Sequence, residues 1–145
     1  MRRIELSIVV EGPRDAVFEY VLDPKKLAEW VAQDGQGVVT GEDNLALGST
    51  YTVSTGESSK RTFEYEVIGL EQPSFIAVKT EGSILTYSSR LTFEEQDGQT
   101  AVKEVIEMDD PSGIFKLLGG WLMGRVEKTH QERLDRLAGV VANPG

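Results

Sequence analysis

His130 is the only histidine of the chain and the side chain with the widest range of chemistry. Because an unperturbed imidazole has a pKa of about 6.5, it can serve as acid, base or hydrogen-bond donor at neutral pH. His130 lies within an apolar stripe of helical spacing, between Val126 and Leu134. Titratable groups on apolar faces are uncommon and are often functional. Two interpretations stay open: a histidine satisfied by backbone or water, and a residue that binds a ligand or transfers protons.

Glu104 is the second candidate, because it alternates in phase with the apolar residues Val102 and Ile106. That phase predicts a side chain on the inner face of a sheet. A buried carboxylate is costly unless it is paired or protonated, and the candidate partners are His130, Arg133 or a ligand. The alternative is a register that places Glu104 at a solvent-exposed edge, since a shift of one residue reverses the faces. His130 and Glu104 are therefore the catalytic candidates, with no reaction assigned to them.

Three tyrosines show the same alternation. Tyr51, Tyr65 and Tyr87 each lie on the apolar side of a predicted strand. They are compatible with an ordinary aromatic core between a sheet and a helix. A buried phenol needs a hydrogen-bond partner, however, so three inward tyrosines favour an interior that holds water or a ligand.

The composition excludes several classes of site and partner. The chain has no cysteine, which excludes disulfides and cysteine-ligated zinc. One histidine and scattered carboxylates form no recognisable metal-ligand set, and we expect neither a metal nor another cofactor. The net charge of −9 argues against binding to nucleic acid and to anionic membranes, since both are polyanions. No apolar run is long enough for a transmembrane helix, so a cytoplasmic location is the default expectation.

The elements that position these residues follow from the hydrophobic periodicity. At 145 residues the chain is expected to form one domain. A strand over 3–10 precedes two short helices, which begin near Pro13 and after Asp23-Pro24. A strong hairpin signal lies at Asp97-Gly98. Alternating or apolar patterns predict the remaining strands, at 38–39, 50–54, 61–68, 75–80, 84–94 and 101–108.

The last long segment, residues 111–141, is predicted to be the major helix. The Asp110-Pro111 pair gives a start signal, and the apolar residues recur on one stripe of the helical wheel. Gly119, Gly120 and Gly124 weaken its first half at a cost of about 1 kcal/mol each. Either the helix bends there or another group approaches its backbone closely. The three glycines follow no strand, so they do not indicate a phosphate-binding loop.

Together with several local motifs, this order of elements resembles a known superfamily. The motifs are Gly12-Pro13 before a helix with Val17-Phe18, Asp23-Pro24 before Leu27 and Trp30, Gly48 and Glu71-Gln72-Pro73 before strands, and the Asp97-Gly98 hairpin. Over nearly its whole length the chain resembles the helix-grip proteins of the START/Bet v 1-like superfamily (SRPBCC), in particular the polyketide cyclase/dehydrase-type group. The resemblance implies an α+β fold. In that fold a curved antiparallel sheet of about six to seven strands wraps around a long C-terminal helix, and two short helices follow strand 1.

The resemblance also implies an internal cavity between the sheet and the C-terminal helix. There the chain would bind a hydrophobic or amphipathic small molecule, either lipid-like or aromatic and polyketide-like. The residues that would contact this ligand are Trp30, Tyr51, Phe63, Tyr65, Leu85, Tyr87, Glu104, Phe115, Leu122, Val126 and His130. Two other functions stay open on this fold: a cyclase/dehydrase-type enzyme acting on such a ligand, and a chaperone-cofactor-like protein-interaction module. Formation of a homodimer also stays open.

Overall fold

A computed structural model describes residues 2–31, 38–39, 44–55, 61–81, 86–109 and 119–142 of the chain. In these residues one antiparallel sheet packs against helices. The strands are β1 (Arg2–Glu11), β2 (Val38–Val39), β3 (Thr50–Thr55), β4 (Arg61–Glu71), β5 (Phe75–Glu81), β6 (Thr86–Gln96) and β7 (Gln99–Met108). The helices are α1 (Arg14–Leu22), α2 (Pro24–Trp30) and α3 (Gly119–Ala142).

The sheet has seven strands in the order β1-β7-β6-β5-β4-β3-β2, and every neighbouring pair is antiparallel. The β6–β7 hairpin turns at Asp97 and Gly98, whose φ angles are 53° and 82°. An Asp-Gly pair tolerates these positive values, as the sequence predicts. Because β6 and β7 alternate regularly, one face of each strand is buried. Leu91 and Glu104 are paired across the two strands, and both lie on that inner face.

Several strands extend beyond their predicted bounds, and the largest differences are in β4, β6 and β7; β6 continues to Gln96 instead of position 94. β4 continues past position 68 to Glu71 because a bulge between Val67 and Gly69 shifts the register and leaves Ile68 exposed. A bulge interrupts the two-residue period, so the residues after it no longer alternate in phase with those before it and are not recognised as part of the same strand. β7 begins at Gln99, directly after the tight turn. Residues 84 and 85 of the predicted sixth strand lie outside the described residues.

The two short helices follow β1 after only two residues, Gly12 and Pro13. Asp23 ends α1 and begins α2, and its carboxylate accepts a hydrogen bond from the Lys25 backbone N–H at 3.0 Å. Pro24 occupies the first helical position, where no N–H is needed. At the end of α2, the Trp30 carbonyl accepts a hydrogen bond at 3.1 Å from Nε of Arg136 on α3. This bond ties α2 to the long helix.

α3 packs against β1 and α2 along the predicted apolar stripe. Val126, His130, Leu134 and Leu137 are buried. The helix is described from Gly119, and predicted residues 111–118 lie outside the described residues. A Cβ atom placed on Gly120 or on Gly124 would meet no atom of the described residues within 4 Å, so none of those residues approaches the backbone closely at these two glycines. None of the described helices is long and apolar enough to cross a membrane.

Candidate functional site

A partly open cavity lies between the inner face of the sheet, the two short helices and α3. The space between its lining atoms totals about 540 Å³ with the mouth included. The lining residues are mostly apolar; they are Val21, Leu27, Trp30, Val31, Leu45, Tyr51, Tyr65, Ile76, Val78, Ser89, Leu91, Glu104, His130 and Arg133.

Glu104 is buried on β7 and accepts two hydrogen bonds. Its Oε2 atom lies 2.7 Å from Nδ1 of His130 and also accepts from the Ser89 hydroxyl on β6. Burial by itself would raise the pKa of Glu104, but the attraction of His130 and the hydrogen bonds from His130 and Ser89 lower it overall. The carboxylate is therefore ionised at neutral pH. Of the two registers considered for Glu104, the inward one is observed.

His130 links this carboxylate to two phenols. Its Nε2 atom lies 3.2 Å from the Tyr87 hydroxyl, and the Tyr87 hydroxyl lies 2.5 Å from that of Tyr65. The ring of Tyr87 meets the imidazole edge-on, and the ring of Tyr65 stacks on that of Tyr51 with centroids 5.2 Å apart. Burial raises the pKa of Tyr87, so its phenol keeps its proton at neutral pH. The result is a continuous buried chain of hydrogen bonds from β7 through α3 to β6 and β4.

The direction of these hydrogen bonds follows from their end points. An ionised carboxylate can only accept, so Nδ1 of His130 donates to Glu104. In the neutral imidazole Nε2 then accepts from the Tyr87 hydroxyl, which in turn accepts from Tyr65. At the far end the Arg133 guanidinium, which can only donate, hydrogen-bonds the Tyr65 side chain. Every member thus has a consistent role in one arrangement of protons.

Arg133 is a buried cation on the cavity wall. Burial by itself would lower its pKa, but the neighbouring Tyr65, Tyr87 and Glu104 raise it overall, so it stays charged. Its Nε–H has no hydrogen-bond acceptor among the described residues. The indole Nε1–H of Trp30, on the same cavity, also lacks an acceptor within the described part of the chain.

The structure brings together five of the predicted site residues around the cavity, namely Trp30, Tyr51, Tyr65, Glu104 and His130.

Other predicted contacts lie elsewhere. Tyr87 is buried and does not line the cavity, but it hydrogen-bonds His130 and Tyr65, which do. Val126 is buried one helical turn before His130, and Phe63 is half-buried against the core near the start of β4; neither lines the cavity. Leu85 and Phe115 lie outside the described residues, as does the side chain of Leu122.

Several cavity residues were not predicted as contacts. Ser89 and Leu91 share the inward phase of Tyr87 on β6, so alternation alone was sufficient to find them. Arg133 was considered only as a partner for Glu104, although it lies one turn after His130 on the same helix. Leu45 precedes β3 outside any periodic element, and no sequence signal indicates it. Among the described residues, no group of three potential metal ligands comes together.

The sequence profile of a family described as polyketide cyclase / dehydrase and lipid transport matches residues 1–142. The chain belongs to this family. No curated protein matches the sequence.

Solved structures of similar fold cover almost the entire chain. A protein of Chromobacterium violaceum is 20% identical, with a TM-score of 0.73 and coverage of 96% of both chains. Ara h 8.0201 is 16% identical, with a TM-score of 0.77 and 97% coverage of both. The Aha1 dimer from Colwellia psychrerythraea is 14% identical, with a TM-score of 0.73 over 97% of this chain and 96% of that one. The expected helix-grip fold is thereby confirmed.

Proposed function

We propose that the protein binds a small molecule with an apolar body and one polar group in the cavity between sheet and α3. The observation that supports this most is a line of buried polar side chains, including His130 and Arg133, along one wall of an otherwise apolar cavity. Such a pattern is typical of small-molecule sites, in which apolar walls supply affinity and a few polar groups fix orientation. The family description and the helix-grip fold agree with a ligand-binding role.

The dimensions of the cavity favour a compact ligand. The space between the lining side chains is about 540 Å³ with the open mouth included, which suits one or two rings that carry a polar group. A long acyl chain would require the lining side chains to move. We therefore rank an aromatic or short branched molecule above a long-chain lipid.

A matched pair of Ile→Phe variants tests the proposal. Ile76 is buried and lines the cavity, whereas Ile68 is exposed on the neighbouring strand. Saturation-transfer NMR with a library of aromatic and amphipathic fragments, followed by calorimetry, should find ligands that bind the wild type and Ile68→Phe but not Ile76→Phe. Equal binding by both variants would place the site elsewhere, and a library without any binder would contradict the proposal.

A second candidate function is proton transfer to or from the bound molecule. It is favoured by the pairing of His130, which lines the cavity, with the orienting carboxylate of Glu104. The base would be Nε2, which must first exchange its hydrogen bond from Tyr87 for the proton of the ligand. A base held in this way accelerates proton abstraction by roughly 10²–10⁴-fold. Deuterium exchange at the α-carbon of a ketone that binds provides a direct measurement. Exchange should be fast with wild type and lost with His130→Gln; an unchanged rate would remove His130 from any mechanism.

A homodimer also remains to be tested. A relative of similar fold, the Aha1 protein, is described as a dimer. Sedimentation velocity distinguishes a dimer from a single species at the chain mass of 16.0 kDa.

A further inference from the structure

We propose that the ligand of this cavity carries a carboxylate, which binds the side chains of Arg133 and Trp30. This inference rests on the proposed binding function and names the chemical class of its ligand. It starts from Arg133, whose side chain is only 7% exposed and lines the cavity. No carboxylate of the described residues forms an ion pair with it, and its Nε–H has no acceptor among them.

Glu104 does not supply the missing partner. The Oε2 atom of Glu104 accepts hydrogen bonds from His130 and from Ser89. Glu104 and Arg133 attract each other electrostatically, but they do not form an ion pair. Tyr65, the neighbour that does most to raise the pKa of Arg133, is a phenol and not a carboxylate. A buried cation without a direct counter-ion is unfavourable, and a ligand anion would relieve this cost.

Trp30 provides a second donor towards the same ligand. Its Nε1–H is buried and has no acceptor in the described part of the chain. The Trp30 carbonyl is bound by Arg136, which lies three residues after Arg133 and thus on the adjacent turn of α3. Trp30 and Arg133 are both lining residues of the same cavity.

The Nε–H of Arg133 and the Nε1–H of Trp30 have no acceptor among the described residues, and one of these two donors is charged. A carboxylate matches this chemistry. Each buried donor left unsatisfied is unfavourable, and a carboxylate has enough lone pairs to accept from both. An amide or a ketone would accept a hydrogen bond but would leave the charge of Arg133 unbalanced. The apolar residues of the lining, such as Leu27 and Ile76, then surround the hydrocarbon part of the acid.

The experiment compares acids with their primary amides, which have nearly the same shape but no charge. Calorimetry with benzoate against benzamide, and with 1-naphthoate against 1-naphthamide, is run on wild type, Arg133→Gln, Trp30→Phe and Arg125→Gln. Arg125 is an exposed arginine of the same helix that stacks on Trp121, so it controls for a general loss of positive charge.

We expect wild type and Arg125→Gln to prefer the acid. Arg133→Gln should weaken acid binding roughly 10- to 100-fold and change amide binding less than about threefold, as for the loss of a charged hydrogen bond. Trp30→Phe keeps the aromatic body and should weaken acid binding by a smaller factor. The carboxylate inference would be wrong if wild type bound acid and amide equally, or if Arg133→Gln still preferred the acid.

The design separates this inference from the function on which it rests. If Arg133→Gln fails to fold, the acid-to-amide ratio of wild type and its reduction in Trp30→Phe decide the matter. If library fragments bind but no acid is preferred, the cavity binds a ligand and the carboxylate inference is wrong. If nothing binds, the binding function is wrong and the inference falls with it.

Discussion

Nδ1 of His130 lies 2.7 Å from Oε2 of Glu104, and both side chains are 6% exposed. This contact joins α3 to β7 at the centre of the buried polar chain. It also determines the chemistry of the imidazole: Nδ1 is occupied by Glu104, so Nε2 is the nitrogen that faces Tyr87.

The first prediction concerns the tautomer of His130. Since ionised Glu104 only accepts, Nδ1 should carry a proton at every pH at which the protein is folded, and the neutral ring should leave Nε2 bare. The chain contains a single histidine, so its ¹⁵N shifts need no assignment. Long-range ¹H–¹⁵N spectra of the neutral ring should show the Nδ1–H form. A bare Nδ1 there would mean that Glu104 is not its partner.

The second prediction concerns Glu104→Gln. The pKa of Glu104 in the folded protein is below its ordinary value of 4.5. The ionised carboxylate therefore adds to the free energy of unfolding, and this contribution is fully present above pH 4.5. This stability is lost as the pH falls through the folded-state pKa. The variant should lose about 3 kcal/mol at pH 7, as for a broken buried pair, and the difference from wild type should shrink on acidification. Urea titrations at pH 7 and at successively lower pH measure both effects.

Glu127 provides the control for this experiment, because it is exposed on the same helix as His130. Glu127→Gln should stay within about 0.5 kcal/mol of wild type. A constant difference between wild type and Glu104→Gln at all pH values would show that charge plays no part in the loss.

The third prediction compares two tyrosines. Tyr87→Phe keeps the ring contacts but removes a hydroxyl that joins Tyr65 to Nε2 of His130, leaving both without that partner. It should destabilise the fold by roughly 1–3 kcal/mol. Tyr51→Phe removes a hydroxyl for which the described residues form no such bridge, so its cost should be below about 1 kcal/mol. Chemical denaturation measures the two values, and equal losses would argue against a connected chain.

The fourth prediction concerns Gly124 on α3. A methyl group there meets nothing within 4 Å among the described residues, so Gly124→Ala should raise the free energy of unfolding by about 0.5–1 kcal/mol. The matched control is Gly98→Ala, where the φ of 82° penalises any side chain by roughly 1–2 kcal/mol. Thermal melts should move in opposite directions for the two variants. A destabilised Gly124→Ala would indicate that this glycine serves a contact or a motion of the helix.

The inner face of β6 and β7 was predictable because both strands are regular and the Asp97-Gly98 turn sets their register. Alternation was therefore sufficient to turn Tyr87 and Glu104 inward. The pairing of Glu104 with His130 needed one more step, the docking of the helix on the sheet, and the family resemblance supplied it.

The limits of the sequence are clearest at Arg133. A charged residue next to an apolar stripe is usually solvated, and nothing local predicts that Tyr65 accepts its hydrogen bond. Phe63 shows the opposite case: its phase is inward, but its position near the start of β4 places it beside the core and away from the cavity. Periodicity determines which face a residue occupies; it does not determine how far along that face the cavity extends.

The pairing of β1 with β7 has a consequence for how the protein folds. Glu11 and Gln99, at one end of this pair, are 88 positions apart in the chain. During synthesis β1 must therefore remain unpaired until β7 has left the ribosome, and long-range pairing of this kind slows folding. Because α3 packs on β1, the surface that receives the helix also forms late. His130 and Glu104 should thus meet among the final events, and a spectroscopic signal from that pair would report the arrival of the native state.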